Sequence, residues 1–402
     1  MKLWWTQFPN QLKLVTLIRF FASFGAGGVI YLTSLIFNNI GLSATQIGLG
    51  FTLSAIVGTL TRIITGKFLN KNRNISLPLK ISSILSILAS ILLFISKDTH
   101  LYLIGQSFIG ASAGIYWPSA EIAIPYLCYP IKTSKAYALV RSAEALGIFI
   151  GVFLGSFLNS YFYFKSIYIN DILCMLIIIY LLIKNKDLIQ LKINNFENNK
   201  FNKIISTNSK WHKNTKLIIS SIILMTTCLA LNQVTLPLDF VKGGINRIAI
   251  DKNTTGYILS LQLILLFIFQ WPIGNWISNK DRLFGLKFSL LNFFLSSILF
   301  FASSYLESFG FYLMMIGIIF YSLAASSFLP TSSDIVFSIA PYDKRGFALA
   351  ILSQCFALGY FIGPFLSGRI LDLYGNASSI WITLSFLSLF ILINIFNKKY
   401  ED

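Results

Sequence analysis

Two stretches decide the fold: Gly147-Ile-Phe-Ile-Gly151-Val-Phe-Leu-Gly155 and Gly359-Tyr-Phe-Ile-Gly363-Pro364-Phe-Leu-Ser367. They lie 212 residues apart and keep glycine, phenylalanine, isoleucine and leucine in register. The same shift carries Gly105 onto Gly317, Ala113 onto Ala325 and Pro118 onto Pro330. Chance would match a glycine or two, but not this series with both prolines. The chain therefore reads as two related halves. A parallel internal repeat of this kind implies halves related by an axis along the membrane normal.

Outward from these stretches, the apolar residues fall into blocks long enough to span a bilayer, which needs about 20 residues each. The blocks run 14–38, 45–69, 77–96, 101–127, 134–161, 165–184, 215–240, 254–278, 284–304, 309–336, 346–373 and 377–396. That is six on either side of a polar stretch, Lys184 to Lys216, which carries Lys186, Lys192, Lys200, Lys203, Lys210 and Lys213 among many asparagines. The expected organisation is an N-terminal six-helix bundle over 1–184, a cytoplasmic linker over 185–214 and a C-terminal six-helix bundle over 215–402. Before the first block, Lys2, Trp4, Trp5 and Lys13 suit an interfacial lead-in to a retained first helix, with no cleavable signal.

Composition agrees. Of 402 residues, 12% are charged and 55% hydrophobic, with a mean hydropathy of +0.71. A soluble domain carries about 25% charged residues, so lipid is the solvent here. The net charge of +17 would suggest nucleic acid in a soluble protein. In a membrane protein it reflects lysine and arginine in cytoplasmic loops. With both termini inside, only Lys97, Lys165, Lys242, Arg247, Lys252 and Arg369 fall on the outer side. Cys128, Cys174, Cys228 and Cys355 form no CxxC pair, and His100 and His212 stand in loops, so no metal site, disulfide framework or cofactor is expected. No Walker sequence and no paired loop aspartates occur, which disfavours ATP-driven pumping and lipid-diphosphate chemistry.

The stretch from Gly359 to Gly368, with Leu371-Asp372 and Gly375 after it, resembles the eleventh helix of the major facilitator superfamily. Pro341-Tyr-Asp-Lys-Arg345-Gly346 resembles the loop before that helix. Gly66-Lys-Phe-Leu69-Asn70-Lys71-Asn-Arg73 resembles the family's signature loop between helices two and three. A degenerate copy, Gly274-Asn-Trp-Ile-Ser278-Asn-Lys-Asp281-Arg282, lies between helices eight and nine. The family places an aspartate where Asn70 and Ser278 stand, and a glycine at Arg73, so the carboxylate clamp of the inner gate is weakened or moved. Asp334, near the cytoplasmic end of the tenth helix, is the expected gate partner for Arg62, Lys344 or Arg345. The resemblance implies an all-α integral membrane protein of twelve transmembrane helices in two pseudo-symmetric six-helix bundles.

Gly147, Gly151 and Gly155 repeat every four residues, as do Gly359 and Gly363, so one helix face in each half lets a neighbour approach closely. That suits either moving contacts or static packing. Pro364, Pro118 and Pro330 predict kinks at matching places. Ionisable groups inside lipid are costly and therefore functional candidates. Glu144 and Arg141 share a face of the fifth helix and Glu121 lies on the fourth. They read as a proton-coupling group or as a structural salt bridge. Asp171 is a candidate for proton coupling or an outer gate. Asp239 is expected in interfacial water, with an external gate or cation attraction as the alternative, and Arg19 is expected to reach the cytoplasmic face.

In the family, helices one, four, seven and ten line a central cavity. The resemblance so implies a lining of Tyr31, Tyr116, Trp117, Asn232, Gln233, Tyr321 and Phe328, with Gln262 and Gln354 from neighbouring helices. Some of these aromatics would instead face lipid or pack between helices. A mostly aromatic lining suits amphipathic ligands. The expected function is secondary active transport by alternating access, specifically proton-coupled, multidrug-type efflux of amphipathic small molecules. The alternative is uptake or exchange of a specific metabolite such as a sugar or amino-acid derivative. The expected partners are a small-molecule substrate, protons and the lipid bilayer, without nucleic acid. The expected setting is the plasma membrane, as a monomer with cytoplasmic termini, and no enzymatic chemistry is expected.

Overall fold

A computed structural model describes residues 5–71, 75–131, 133–161, 165–185, 215–277, 280–281, 283–339 and 345–396. Twelve long helices account for nearly all of them: α1 (Asn10–Ile40), α2 (Ala44–Lys71), α3 (Ser76–Ile95), α4 (Thr99–Leu127), α5 (Thr133–Tyr161), α6 (Ser166–Lys184), α7 (Thr215–Lys242), α8 (Lys252–Ile277), α9 (Phe284–Ser303), α10 (Ser308–Ile339), α11 (Arg345–Tyr374) and α12 (Ser378–Phe396). Each expected block has its helix. The largest displacement is at α1, which begins at Asn10, behind Pro9, rather than at residue 14. Ten of the twelve are long and apolar enough to cross a membrane by length and composition. The expected linker falls outside the described residues apart from Asn185.

Local chemistry sets the ends. Gly41 closes α1 at φ 104°, a left-handed conformation that glycine adopts without cost. Asp98 caps α4 by accepting from Leu101 N at 2.8 Å. Connections of a few residues force neighbouring helices antiparallel.

The residues fall in two compact units. The first takes Met1–Leu42, Leu49–Ile193 and Gly256–Ser260; the second takes Ser43–Gly48, Asn194–Thr255 and Leu261–Asp402. In the first, α1 packs on α5 and α6, and α3 packs on α4 and α6. In the second, α7 packs on α11, and α9 packs on α10 and α12. The pairing of α1 with α5 recurs as α7 with α11, and that of α3 with α4 as α9 with α10, as the sequence repeat requires.

The helices are apolar on both sides because their solvent is lipid. On α6, Asp171, Cys174, Met175, Ile178 and Leu182 face inward, while Leu173, Leu176, Ile177, Tyr180 and Ile183 are exposed. Polarity marks the inside of such a bundle. Buried serines satisfy themselves on carbonyls one turn back, as Ser82 and Ser83 do on Leu79 O, each at 2.9 Å.

Candidate functional site

Four charged side chains of the first unit meet inside the bundle. Arg19 comes from α1, Glu121 from α4, and Arg141 and Glu144 from α5. Trp117 stands one turn before Glu121 on α4, and Arg141 stands three residues before Glu144 on α5, so each pair shares a helix face. Arg19 Nη2 donates to Glu144 Oε2 at 2.8 Å and to Glu121 Oε1 at 3.0 Å; Nε reaches Glu144 Oε2 at 3.2 Å. Arg141 closes the ring, with Nη1 on Glu144 Oε2 at 3.0 Å and Nη2 on Glu121 Oε1 at 3.1 Å. Two cations offset two anions, so the cluster is neutral as a whole. That balance is what makes burying it affordable.

The cluster has a dry side and an open side. Arg19 is 1% exposed and Glu144 13%, whereas Glu121 is 29% and Arg141 46% exposed. The Arg19 guanidinium lies over the Trp117 indole, its Cζ 4.0 Å from the ring centre, and 5.7 Å from that of Tyr116. Arg141 approaches the same indole at 5.8 Å. Trp117 thus sits against both guanidinium groups, a cation–π arrangement that fixes the plane of Arg19. The arrangement can exchange ion-pair partners at its open edge while Arg19 stays covered.

Arg19 corrects an expectation. It does not run to the cytoplasmic face. Because α1 begins at Asn10, Arg19 lies more than two turns inside the helix, and there its Nε and Nη2 are paired with Glu144 and Glu121. The signal that identifies Arg19 is its place more than two turns inside a continuous helix.

Other candidates separate from this cluster. Asp171 is 1% exposed on α6, and its Oδ2 accepts from Ser86 Oγ at 3.0 Å and Ser90 Oγ at 2.6 Å. Tyr31 is half-buried on α1. In the second unit, Gln233 Nε2 donates to Tyr360 Oη at 2.8 Å, linking α7 to α11. Asn232 and Gln262 are buried, with Asn232 Oδ1 and both Gln262 amide atoms lacking a hydrogen-bond partner. Gln354 is exposed. Two expected lining residues are instead packing residues. Phe328 is fully buried, its ring 6.2 Å from that of Phe356. Tyr321 is buried edge-on to Phe293 at 5.3 Å, its hydroxyl 3.4 Å from Cys228 O.

The glycines are close contacts. A side chain on Gly147 or Gly151 would run into the α1 backbone at Phe20 O or Phe24 O, and one on Gly155 into Leu32 and Ile167. Gly359 meets the α7 backbone at Thr226 and Thr227, and Gly363 meets Thr227 and Leu231. Pro364 lies inside α11. Gly66 has open space around it. The side chains of Asn70, Lys71, Arg73 and Asp334 lie outside the described residues.

A second buried ion pair corrects the expectation for Asp239, which is not in interfacial water. It is 0% exposed, with Arg247 Nη2 3.1 Å from Oδ2. Trp381 Nε1 donates to the same oxygen at 3.2 Å and Ala377 N to Oδ1 at 3.3 Å, while Arg247 Nη1 donates to Ser303 Oγ at 2.7 Å. This knot ties α7, α9 and α12 together. In the same unit, Asp372 accepts from Ala44 N at 3.0 Å and Thr45 N at 2.7 Å, capping the start of α2, with Lys242 Nζ at 3.3 Å.

The sequence matches the family described as Major Facilitator Superfamily over residues 15–243 and again over 218–400. The chain belongs to the major facilitator superfamily. Solved structures share the fold. The nucleoside transporter NupG aligns over 97% of this chain and 100% of its own at 14% identity, with a TM-score of 0.73. A POT family transporter in complex with 5-aminolevulinic acid aligns over 96% of each chain at 12% identity, with a TM-score of 0.78. A curated relative, the multi-drug resistance efflux pump PmrA homolog of Lactococcus lactis subsp. lactis (strain IL1403), is 37% identical over 71 residues. That match spans 18% of each chain. The protein is thus a multi-pass membrane transporter of the major facilitator type, and not an enzyme.

Proposed function

We propose that the protein exports amphipathic small molecules in exchange for protons, by alternating access. The carrying observation is the neutral Arg19–Glu121–Glu144–Arg141 ring beside Trp117 and Tyr116, inside helices that cross the membrane. Protonating Glu144 would remove one anion from a balanced set of four. Arg19 and Arg141 would then be shared over Glu121 alone, and Arg141, at the open edge, is the side chain free to move. A proton taken up on one face and released on the other would thereby be tied to a rearrangement of α1, α4 and α5. The aromatic surfaces of Trp117 and Tyr116 supply apolar area for an amphipathic guest. The partial likeness to a multidrug efflux pump supports the direction of transport.

The same reading has the chain in the plasma membrane as a monomer with both termini in the cytoplasm; the basic residues assigned to the inner loops support the orientation of the termini. The expected six-helix halves over 1–184 and 215–402 are its two transport bundles, joined by the linker at 185–214. The gate role of Gly66, Asn70, Lys71, Arg73 and Asp334 belongs to the same reading.

A second reading has its own support. The open edge of the ring presents Arg141 and Glu121 side by side, both signs of charge at once. A zwitterionic metabolite such as an amino-acid derivative would find a partner for each end there, and one structural neighbour holds 5-aminolevulinic acid. Reconstituted vesicles with an imposed pH gradient separate the two. Proton-driven movement of hydrophobic dyes supports export of amphipathic compounds. Saturable transport of a zwitterion with no dye movement overturns that reading in favour of the second.

A further inference from the structure

The Asp171 carboxyl takes no part in the charge ring. It lies on the sixth residue of α6, 1% exposed. Ser86 and Ser90, one turn apart on α3, both hold its Oδ2, at 3.0 and 2.6 Å. Its Oδ1 is buried and has no hydrogen-bond partner. The α1 backbone covers that oxygen: a Cβ on Gly25 would lie 2.6 Å from Oδ1 and 3.1 Å from Cys174 Cβ.

Among the described residues, the surroundings hold no charge to balance a carboxylate. On the packed face, α1 presents Gly25 and α3 presents the two serines. On the α5 side, Gly155 meets α6 at Ile167. The titratable neighbours are Cys174 and Tyr168, each three residues away on α6, and Tyr168 is hydrogen-bonded to Thr33 at 3.0 Å. Lys165, just before α6, spends its ammonium on the carbonyls of Phe94 and Ser96. Arg19 lies six residues along α1, about 9 Å of helix rise, and is paired with the two glutamates.

An unpaired carboxylate inside lipid-spanning helices is among the most costly groups a membrane protein carries. A metal ion does not resolve it. The four side-chain oxygens of Asp171, Ser86 and Ser90 fall short of the six or more that a hard cation gathers, and the α1 backbone occupies the space beyond Oδ1. The remaining ligand is a proton.

We infer that Asp171, cradled by Ser86 and Ser90 against Gly25, is a reversible proton-binding site separate from the charge ring. On release, the O–H bond of the carboxylic acid breaks, the electron pair stays on the carboxylate and the proton passes to water. The carboxylate left behind faces α1 without a cation, so release pushes on the helix that carries Arg19. The site makes the packing of α1 on α3 and α6 sensitive to its protonation. This goes beyond the transport reading and does not depend on it.

Infrared difference spectra of the purified full-length protein in lipid vesicles test the site, taken between acid and alkaline pH. A carboxylic-acid carbonyl band that titrates in wild type and is absent in D171N is the expected result. In the S86A/S90A double variant the acid stays but its two hydroxyl partners go, so the band must persist and move in frequency. The double variant also carries the test should D171N fail to fold. Coincident wild-type and D171N spectra at every pH would overturn the inference. So would a band unmoved in S86A/S90A, or one that follows sodium at fixed pH. Loss of proton-coupled transport would leave the spectra unchanged, so this experiment is independent of the proposed function.

Discussion

Arg19 and Glu144 stand 125 positions apart in the chain and are joined by two hydrogen bonds, Nη2 to Oε2 at 2.8 Å and Nε to Oε2 at 3.2 Å. This contact fixes α1 to α5 at the depth where their backbones also touch through Gly147 and Gly151. Charge pairing and close packing thus reinforce one another in the first unit.

Removing the cation alone should be severe. R19M leaves two carboxylates sharing Arg141, and breaking a buried pair costs about 3–5 kcal/mol. The double variant R19M/E144Q restores neutrality through Arg141 and Glu121. Thermal unfolding in one detergent should rank wild type above the double variant, and the double variant above R19M. A double variant no more stable than R19M would show that charge balance does not hold the ring together.

Trp117 is expected to matter through its face. W117F keeps a ring under Arg19 and W117A removes it, forfeiting a contact worth about 0.5–2 kcal/mol. The apparent KM for a transported amphipathic compound should rise more in W117A than in W117F. Equal values for the two variants would argue that the ring does not position Arg19 or the guest.

The glycines offer an internal control. Gly151→Ala forces α5 off the Phe24 carbonyl of α1, with a cost of about 1–3 kcal/mol for overpacking. Gly66→Ala meets nothing and gains up to about 1 kcal/mol of helix propensity. Opposite shifts in melting temperature should follow. A neutral G151A would mean that the α1–α5 approach has slack.

In the second unit, D239A strands the buried Arg247 and should cost about 3–5 kcal/mol. W381F removes one hydrogen bond to a charged acceptor, about 1.5–3 kcal/mol. Melting curves in which W381F is the more damaging would point to Trp381 packing on Phe300, whose ring centre is 4.9 Å away, and not to the carboxylate.

The fold was legible because twelve apolar blocks and a 212-residue repeat are properties of the linear chain. The pairing of Arg141 with Glu144 was legible for the same reason, since three residues on a helix make neighbours. Arg19 was not, because its partners lie 102 and 125 positions away and a four-residue error at the start of α1 made it look shallow. Phe328 and Tyr321 were expected in the lining from helix position alone, which does not say which side chains of α10 are taken up in packing against Phe356 and Phe293. Asp239 looked interfacial from its place near a helix end. The loop residue Arg247 folds back to bury it, and no helix periodicity encodes a loop contact.

The most direct test of proton-coupled export through the charge ring is a paired flux measurement on E144Q. Protein is reconstituted into vesicles, a pH gradient is imposed, and proton flux and movement of a fluorescent amphipathic compound are recorded together. Wild type should move both. E144Q should remain folded and still exchange compound across the membrane without a gradient, but should neither carry protons nor concentrate compound against its gradient. Proton-driven accumulation by E144Q at the wild-type rate would contradict the account.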